Sequence, residues 1–259
     1  MKSCPISVFI IAQDEADRIP LTIRSVIDWV DEVLVIDSGS SDDTVAVSEK
    51  LGATVVFNAW KGYGPQKVYG EKLCKNDWVL NLDADEEITD ALRDEIIALF
   101  ESGEPKEKVY RIPRLPIYGF QQDGHPWTAF LKTVRMYKKS VCGFKDEIVH
   151  DSVLVPNNVK VGTLRSMMNH RSFRSLEHHV EKTNGYSTMQ AEVLLKKGRK
   201  TNFFMMLILP FFAFWKSYLF RREIVNGIDG VLTSHMYAFM RFIRYAKLRE
   251  LEHKQRDDN

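Results

Sequence analysis

The segment 33–36 (Val-Leu-Val-Ile) constrains the fold more than any other stretch, because it is apolar without interruption. Side chains alternate faces along a strand, so such a run must be covered on both sides, as in parallel sheets flanked by helices. Segments 6–11, 54–57 and 78–82 are similar β-rich runs. Between the first two, Ile19, Ile23, Val26, Ile27 and Val30 recur at helical spacing and predict a helix. A second helix is predicted through Val45, Val47 and Leu51, capped by Ser41 or Asp42, and a third over 90–100. This alternation predicts a doubly wound, largely parallel α/β sheet. Segments 109–113 and 133–137 read as further strands around a Gly/Pro-rich excursion through Tyr118, Gly119, Gly124 and Pro126.

Past residue 150 the pattern changes. Segment 178–197 predicts a mainly polar helix, 202–220 is strongly apolar, and 246–256 predicts an exposed helix. The 259 residues suffice for one large domain with an appendage, so we expect a sheet domain over 1–170 and a helical, hydrophobic extension over 171–259. Within it, 203–209 and 211–215 are almost wholly apolar, Pro210 interrupts them, Lys216 follows them, and cations flank the whole: Lys196, Lys197, Arg199 and Lys200 before, Arg221 and Arg222 after. That arrangement predicts peripheral attachment to an anionic membrane surface, with a hairpin packed on the sheet domain or on a second copy as one alternative and a re-entrant or spanning segment as another. Homo-oligomerisation is left open. The net charge of +1, with no basic reading motif, argues against nucleic acid. Cys4, Cys74 and Cys142 are widely separated, and the opening residues lack a secretory pattern; both predict a reducing, cytoplasmic location.

The chemistry lies at strand ends. Val-Leu-Asn-Leu-Asp-Ala-Asp-Glu-Glu places Asp83 and Asp85 just after an apolar run. In an open α/β sheet, ligands bind beyond the carboxyl ends of the strands. Alternate residues of an extended segment face one way, so both carboxylates can serve one site. Their hard oxygens suit Mg²⁺ or Mn²⁺, although a solvated turn capping the following helix has the same composition. Asp37 ends the second strand in the same manner and can accept from a base or ribose, or close an Asx-turn in the Ser-rich corner. The first strand runs into Gln-Asp-Glu-Ala, which is not a dinucleotide-binding glycine turn.

Together these segments resemble the inverting family 2 glycosyltransferases of the GT-A fold, nearest to the small lipopolysaccharide-core β-glycosyltransferases. The opening Ser-Val-Phe-Ile-Ile-Ala-Gln-Asp-Glu-Ala-Asp-Arg-Ile is similar to the family's first-strand motif, segment 35–44 to its nucleotide corner, and 82–86 to its Asp-X-Asp-Glu motif. The resemblance implies a Rossmann-like, mostly parallel sheet, a UDP-hexose donor and a saccharide acceptor of the lipopolysaccharide inner core, and an apolar segment 202–222 at the inner face of the cell membrane would suit a lipid-linked acceptor. It implies that the backbone at Ala12, with Glu15, Asp37 and Lys67, borders the nucleotide. Asp83 would meet ribose or the metal, and Asp85 would be the principal ligand of Mg²⁺ or Mn²⁺. A third element, Phe-Lys-Asp-Glu-Ile-Val-His-Asp over 144–151, supplies candidates for the base that deprotonates the acceptor: Asp151 and Asp146, with Glu147 third. His150 would bind metal or orient the diphosphate, and Arg135 would meet phosphate or an acidic acceptor. Two other classes compete: a nucleotidyltransferase, disfavoured by the acidic loop 11–18, and an inactive sugar-nucleotide-binding scaffold.

Overall fold

The computed structural model describes residues 4–101, 103–118, 124–128, 131–146 and 152–257. β1 (Cys4–Ala12), α1 (Ile19–Arg24), β2 (Val30–Asp37), α2 (Thr44–Lys50), β3 (Thr54–Phe57), α3 (Tyr63–Leu73) and β4 (Trp78–Asp83) alternate as expected. β5 (Glu86–Ile88), α4 (Asp90–Glu101), β6 (Val109–Pro116) and β7 (Leu131–Lys138) follow, then the short strands β8 (Gly143–Phe144), β9 (Val153–Leu154), β10 (Val161–Thr163) and β11 (Met168–His170). Among the described residues, nine strands form one mixed sheet in the order β3-β2-β1-β4-β7-β6-β11-β5, with β10 beside β6. The pairs β2–β3, β1–β2 and β1–β4 are parallel, while β7 is antiparallel to both β4 and β6. The C-terminal helices are α5 (Leu176–Lys196), α6 (Phe203–Trp215) and α7 (Gly227–Asp257). The molecule is therefore an α/β, GT-A-like fold with a long helical extension.

β1 explains the architecture. Ile6, Val8, Ile10 and Ala12 point into one buried cluster with Ile19, Ile23, Leu92 and Ile96 from α1 and α4. Phe9 and Ile11 point into a second cluster with Leu34, Ile36, Val79 and Tyr137. Both faces of the strand are dry, as an uninterrupted apolar run requires. Each fully buried Ile or Phe contributes roughly 1.5–3 kcal/mol.

The chain divides into two compact units: Met1–Leu115 with Phe130–His170, and Pro116–Ala129 with Arg171–Asn259. In the second unit α7 packs against α5 and α6, and Ser175 and Asn202 cap α5 and α6 through the amides of His178 and Met205. The Tyr118 hydroxyl donates to Glu223 at 2.6 Å. Gly230 permits a close helix start, because a Cβ there would sit 1.8 Å from the Glu223 carbonyl oxygen.

Several sequence expectations are corrected. The first helix stops at Arg24, and Val26 and Trp29 reach the core from a turn in which the Trp29 indole donates to the Ser25 carbonyl at 2.8 Å. Val30 already belongs to β2. Neither Ser41 nor Asp42 is the cap of α2; Asp43 occupies that position without a side-chain bond, while Asp42 accepts from the Thr44 amide at 3.0 Å. The last helix begins at Gly227, well before Ala246. Pro210 lies inside α6 and does not end it. The thiols are free and buried, and burial pushes Cys74 and Cys142 up to about 12, so they stay protonated.

α3 fits against the sheet because Gly70 has no side chain: a Cβ there would lie 2.9 Å from both Phe9 and Ile36. Gly70→Ala should therefore cost about 1–3 kcal/mol through overpacking. Urea unfolding measures this, and an unshifted midpoint would contradict the packing.

Candidate functional site

Register brings the predicted carboxylates to one edge. Ala12 pairs with Asp37, and Ile11 pairs with Asp83, so β1, β2 and β4 end together. Beyond them the loop after β1 is stitched to the Ser-rich corner. Asp14, at φ 54°, accepts from the Ser41 amide at 2.8 Å, and the Glu15 amide donates to the Thr44 hydroxyl at 2.8 Å. Asp37 is 4% exposed and closes an Asx-turn, accepting from the amides of Gly39 at 2.8 Å and Ser40 at 3.1 Å. Its oxygens are used to shape the corner, and Gly39 accommodates the φ of +102° that this turn needs.

Asp83 is gripped from both sides. Lys67 Nζ lies 2.9 Å from Oδ1, and the Arg135 guanidinium lies 2.6 Å from Oδ2. Arg135 also reaches Glu86 Oε1 at 2.5 Å and Asn81 Oδ1 at 2.8 Å, while Arg114 meets Glu86 at 3.2 Å. Glu86 is wholly buried and accepts from the Asp83 amide at 3.0 Å. Burial pushes the Asp83 carboxyl up, but the charges of Arg135 and Lys67 outweigh it and hold the group well below the usual carboxylate range. Lys67 itself is fully buried, with the Phe144 ring 5.4 Å from Nζ. Arg135 thus sits among carboxylates of its own chain.

Asp85 belongs to a different layer. Thr22 fixes the neighbouring bend by donating to the Ala84 carbonyl at 2.9 Å, and Ala84 is buried while Asp83 and Asp85 are half-buried. The Arg18 guanidinium, 3.5 Å from Asp85 Oδ2, is held by a two-pronged bond to Glu15 at 2.6 and 2.8 Å. Glu15 therefore orients Arg18. On the other side, His170 Nε2 lies 3.6 Å from Asp85 Oδ1. β11 pairs antiparallel with β5, setting His170 opposite Glu86 and so beside Asp85.

Among the described residues no group of three or more His, Cys, Asp or Glu side chains converges as a metal centre. A carboxylate and an imidazole do converge, at Asp85 and His170. That pair is a partial donor set for Mn²⁺ or Mg²⁺, to be completed by oxygens from a bound diphosphate and water. Asp83, with a cation on each oxygen, is engaged elsewhere. Asp146 is exposed, two residues past Phe144. Glu147, His150 and Asp151 lie outside the described residues. Reasoning from sequence missed Arg18, Glu86, Arg114 and His170. Glu86 ends the Leu-Asp-Ala-Asp-Glu run and was within reach of that reasoning, whereas nothing local marks His170.

The signature described as "Glycosyl transferase family 2" matches residues 7–125. An uncharacterized glycosyltransferase of Rickettsia felis is 42% identical, over 95% of this chain and 89% of that protein. The lipopolysaccharide core biosynthesis glycosyltransferase LpsC of Rhizobium meliloti is 27% identical, over 91% of this chain and 90% of its own length. The structure of Staphylococcus aureus TarS 1-349 is similar at a TM-score of 0.50 and 16% identity, covering 98% of this chain and 92% of that one, which is a likeness of fold. The chain belongs to glycosyltransferase family 2, joining strand-end carboxylates on a GT-A-like sheet to full-length similarity with other members.

Two measurements test the layered site. Arg135→Met leaves half-buried Asp83 to Lys67 and buried Glu86 to Arg114 and should cost about 1–3 kcal/mol, whereas Asp85→Asn should shift stability by less than about 1 kcal/mol. Because the folded pKa of Asp83 is depressed, its contribution is complete above the unfolded value of about 3.9 and disappears as pH falls from there through the folded value. Asp83→Asn should accordingly flatten the acid limb of a stability-against-pH curve, and an unchanged limb would refute the pairing.

Proposed function

We propose that this enzyme transfers a hexose from a UDP-hexose to a saccharide acceptor of the lipopolysaccharide inner core, with inversion at the anomeric carbon. The observation that carries this reading is the common edge of β1, β2 and β4, where Asp37 lies opposite Ala12, Asp83 opposite the preceding Ile11, and Asp85 just beyond, beside His170. The similarity to LpsC supports the choice of acceptor.

In this reading the corner formed by Ala12, Asp14 and Asp37 receives the uridine, its turn already closed by internal hydrogen bonds. Arg18, held by Glu15, faces the diphosphate. Lys67 and Arg135 keep Asp83 ionised and fixed. Asp85 and His170 would hold Mg²⁺ or Mn²⁺, which neutralises charge on the departing diphosphate. The acceptor hydroxyl attacks as a carboxylate takes its proton; Asp151, Asp146 and Glu147 are the candidates, on the segment that begins at Phe144.

The helical extension suits a lipid-linked acceptor. Segment Phe203–Phe220 has a mean hydropathy of 1.7 over 18 residues and meets the length and composition expected of a membrane span. Its length of about 27 Å falls slightly short of a hydrocarbon core of about 30 Å. Lys216 lies within it, and Phe203, Phe204, Phe211, Phe212 and Phe220 are exposed. We read it as lying in the interface of the inner face of the cell membrane, on the cytoplasmic side.

Purified enzyme given nucleotide sugars, core acceptors and Mn²⁺ or Mg²⁺ should release nucleoside diphosphate only when acceptor is present. Pyrophosphate release would instead indicate a nucleotidyltransferase, and binding without turnover a scaffold. Asp85→Asn should lower kcat by about 10²-fold or more in a folded protein. Asp151→Asn should lower the chemical rate far more than nucleotide affinity; if that variant is unaffected and Asp146→Asn is inactive, Asp146 is the base. Replacing Phe211, Phe212 and Trp215 together by serine should release the protein from vesicles while sparing nucleotide binding. A wild-type protein indifferent to vesicles would overturn the membrane reading.

A further inference from the structure

The helical unit contains a second binding feature, remote in chemistry from the carboxylate edge. α6 and α7 enclose an open groove of about 340 Å³ lined by Leu209, Phe212, Ala213 and Lys216 from one side and Tyr237, Arg241, Arg244 and Tyr245 from the other. The residues recur at helical spacing, three, four or seven apart, so each helix turns one continuous face into the groove. The wall from α6 is apolar until Lys216, whereas the wall from α7 is cationic and phenolic.

Among the described residues Lys216, Arg241 and Arg244 make no ion pair with a carboxylate, while the charge of Arg221 acts on Glu223. Arg241 donates to the Tyr237 hydroxyl at 2.7 Å, the Arg221 guanidinium lies 4.4 Å from the Tyr237 ring, and that of Arg244 lies 4.7 Å from the Tyr245 ring. Arg244 reaches Gln190 at 3.3 Å, and its Nε is buried without a hydrogen-bond partner. No carboxylate among the described residues lies within ion-pair distance of Lys216, Arg221, Arg241 or Arg244. The chain carries no acidic residue between Glu192 and Glu223, nor between Asp229 and Glu250. Of the acids at those limits, Glu223 accepts from Tyr118 and Glu250 pairs with Lys254 at 2.8 Å. Burial pushes the Tyr237 hydroxyl up, but the Arg241 bond and the charges of Arg221, Arg241 and Lys216 outweigh it and hold the group below the ordinary phenol range.

Like charges brought together on packed helices repel, and a bound anion removes that cost. The groove is also continuous with exposed hydrocarbon, since Leu207, Phe211, Phe212 and Leu219 stand open on α6 and the turn after it. A small inorganic anion would satisfy the cations and leave the apolar wall in water. An amphiphile satisfies both.

We propose that this groove is a binding site for one anionic phospholipid, its phosphate held by Lys216, Arg241 and Arg244 with the tyrosine hydroxyls, and its proximal acyl chain laid along Leu209 and Phe212. The site makes membrane attachment selective for anionic headgroups. It rests on the interfacial reading of α6 and adds a defined lipid contact to it.

The test uses full-length protein sedimented with vesicles of phosphatidylcholine alone or mixed with phosphatidylglycerol. A basic residue near an anionic surface strengthens binding by about fivefold. Arg241→Gln with Arg244→Gln should therefore reduce binding to the mixed vesicles by at least about tenfold, to the level seen with phosphatidylcholine, where variant and wild type should agree. Lys216→Gln, at an exposed position, should give a several-fold loss in the same assay and carries the test if the double variant fails to fold. Titration with short-chain phosphatidylglycerol below its micelle concentration should saturate, and inorganic phosphate at equal concentration should neither bind nor compete. Equal displacement by inorganic phosphate would show a simple anion site and overturn the lipid assignment. Undiminished phosphatidylglycerol preference in the folded variants would overturn the groove. Equal wild-type binding to both vesicle types would also overturn the groove while leaving the interfacial reading of α6 intact, whereas no binding to either would sink that reading itself.

Discussion

Arg135 fixes the bend on which the site is built. One buried guanidinium holds Asn81 and Asp83 at the end of β4 and Glu86 at the start of β5, while Glu86 accepts the Asp83 amide. With both ends of that bend clamped and Ala84 turned inward, Asp85 is left outside the Arg135 network, between Arg18 and His170. Such a network contributes little net stability, because removing these charges from water costs as much as their attraction returns. What it secures is geometry: an acid at the sheet edge whose direction is set by covalent neighbours that cannot move.

The parallel half of the sheet was legible because apolar runs and strand-end acids are local signals. Segment 33–36, the Asp37 corner and the Asp83–Asp85 pair fall where periodicity and composition place them. α3 was not legible, since its buried face consists of Gly64, Gln66, Lys67 and Gly70 and carries no apolar stripe. The end of α1 was misread for the opposite reason: Val26 and Val30 are core residues at helical spacing but reach the core from a turn and from β2. Long-range partners left no trace at all. Arg135 looked like a phosphate ligand because nothing near it in sequence discloses Glu86, and His170 sits on a three-residue strand whose pairing depends on the whole sheet.

The family signature ends at residue 125, ahead of both Arg135 and His170. The part of the chain that carries the recognisable motifs is thus not the part that completes the site. The two units also treat charge differently. In the sheet unit Lys67, Arg135, Arg114 and Arg18 each face a carboxylate of the same chain, whereas Arg241 and Arg244 in the helical unit face a hydroxyl, rings and an amide. Internal compensation holds the first set, whereas among the described residues no carboxylate pairs with the second, and the proposed lipid site rests on that difference.

The pairing of β11 with β5 has a consequence for the order in which the enzyme is made. β1 to β4 pair among themselves within the first 83 residues, and Asp85 follows directly. His170 arrives only after β6, β7 and β10 have been synthesised, and β11 is the strand that occupies the open edge of β5. A nascent chain therefore displays the acidic motif long before it owns the imidazole beside it. The Asp85–His170 pair thus joins the acidic motif to the last strand of its unit, so a chain that stopped before β11 would carry that motif without the imidazole beside it.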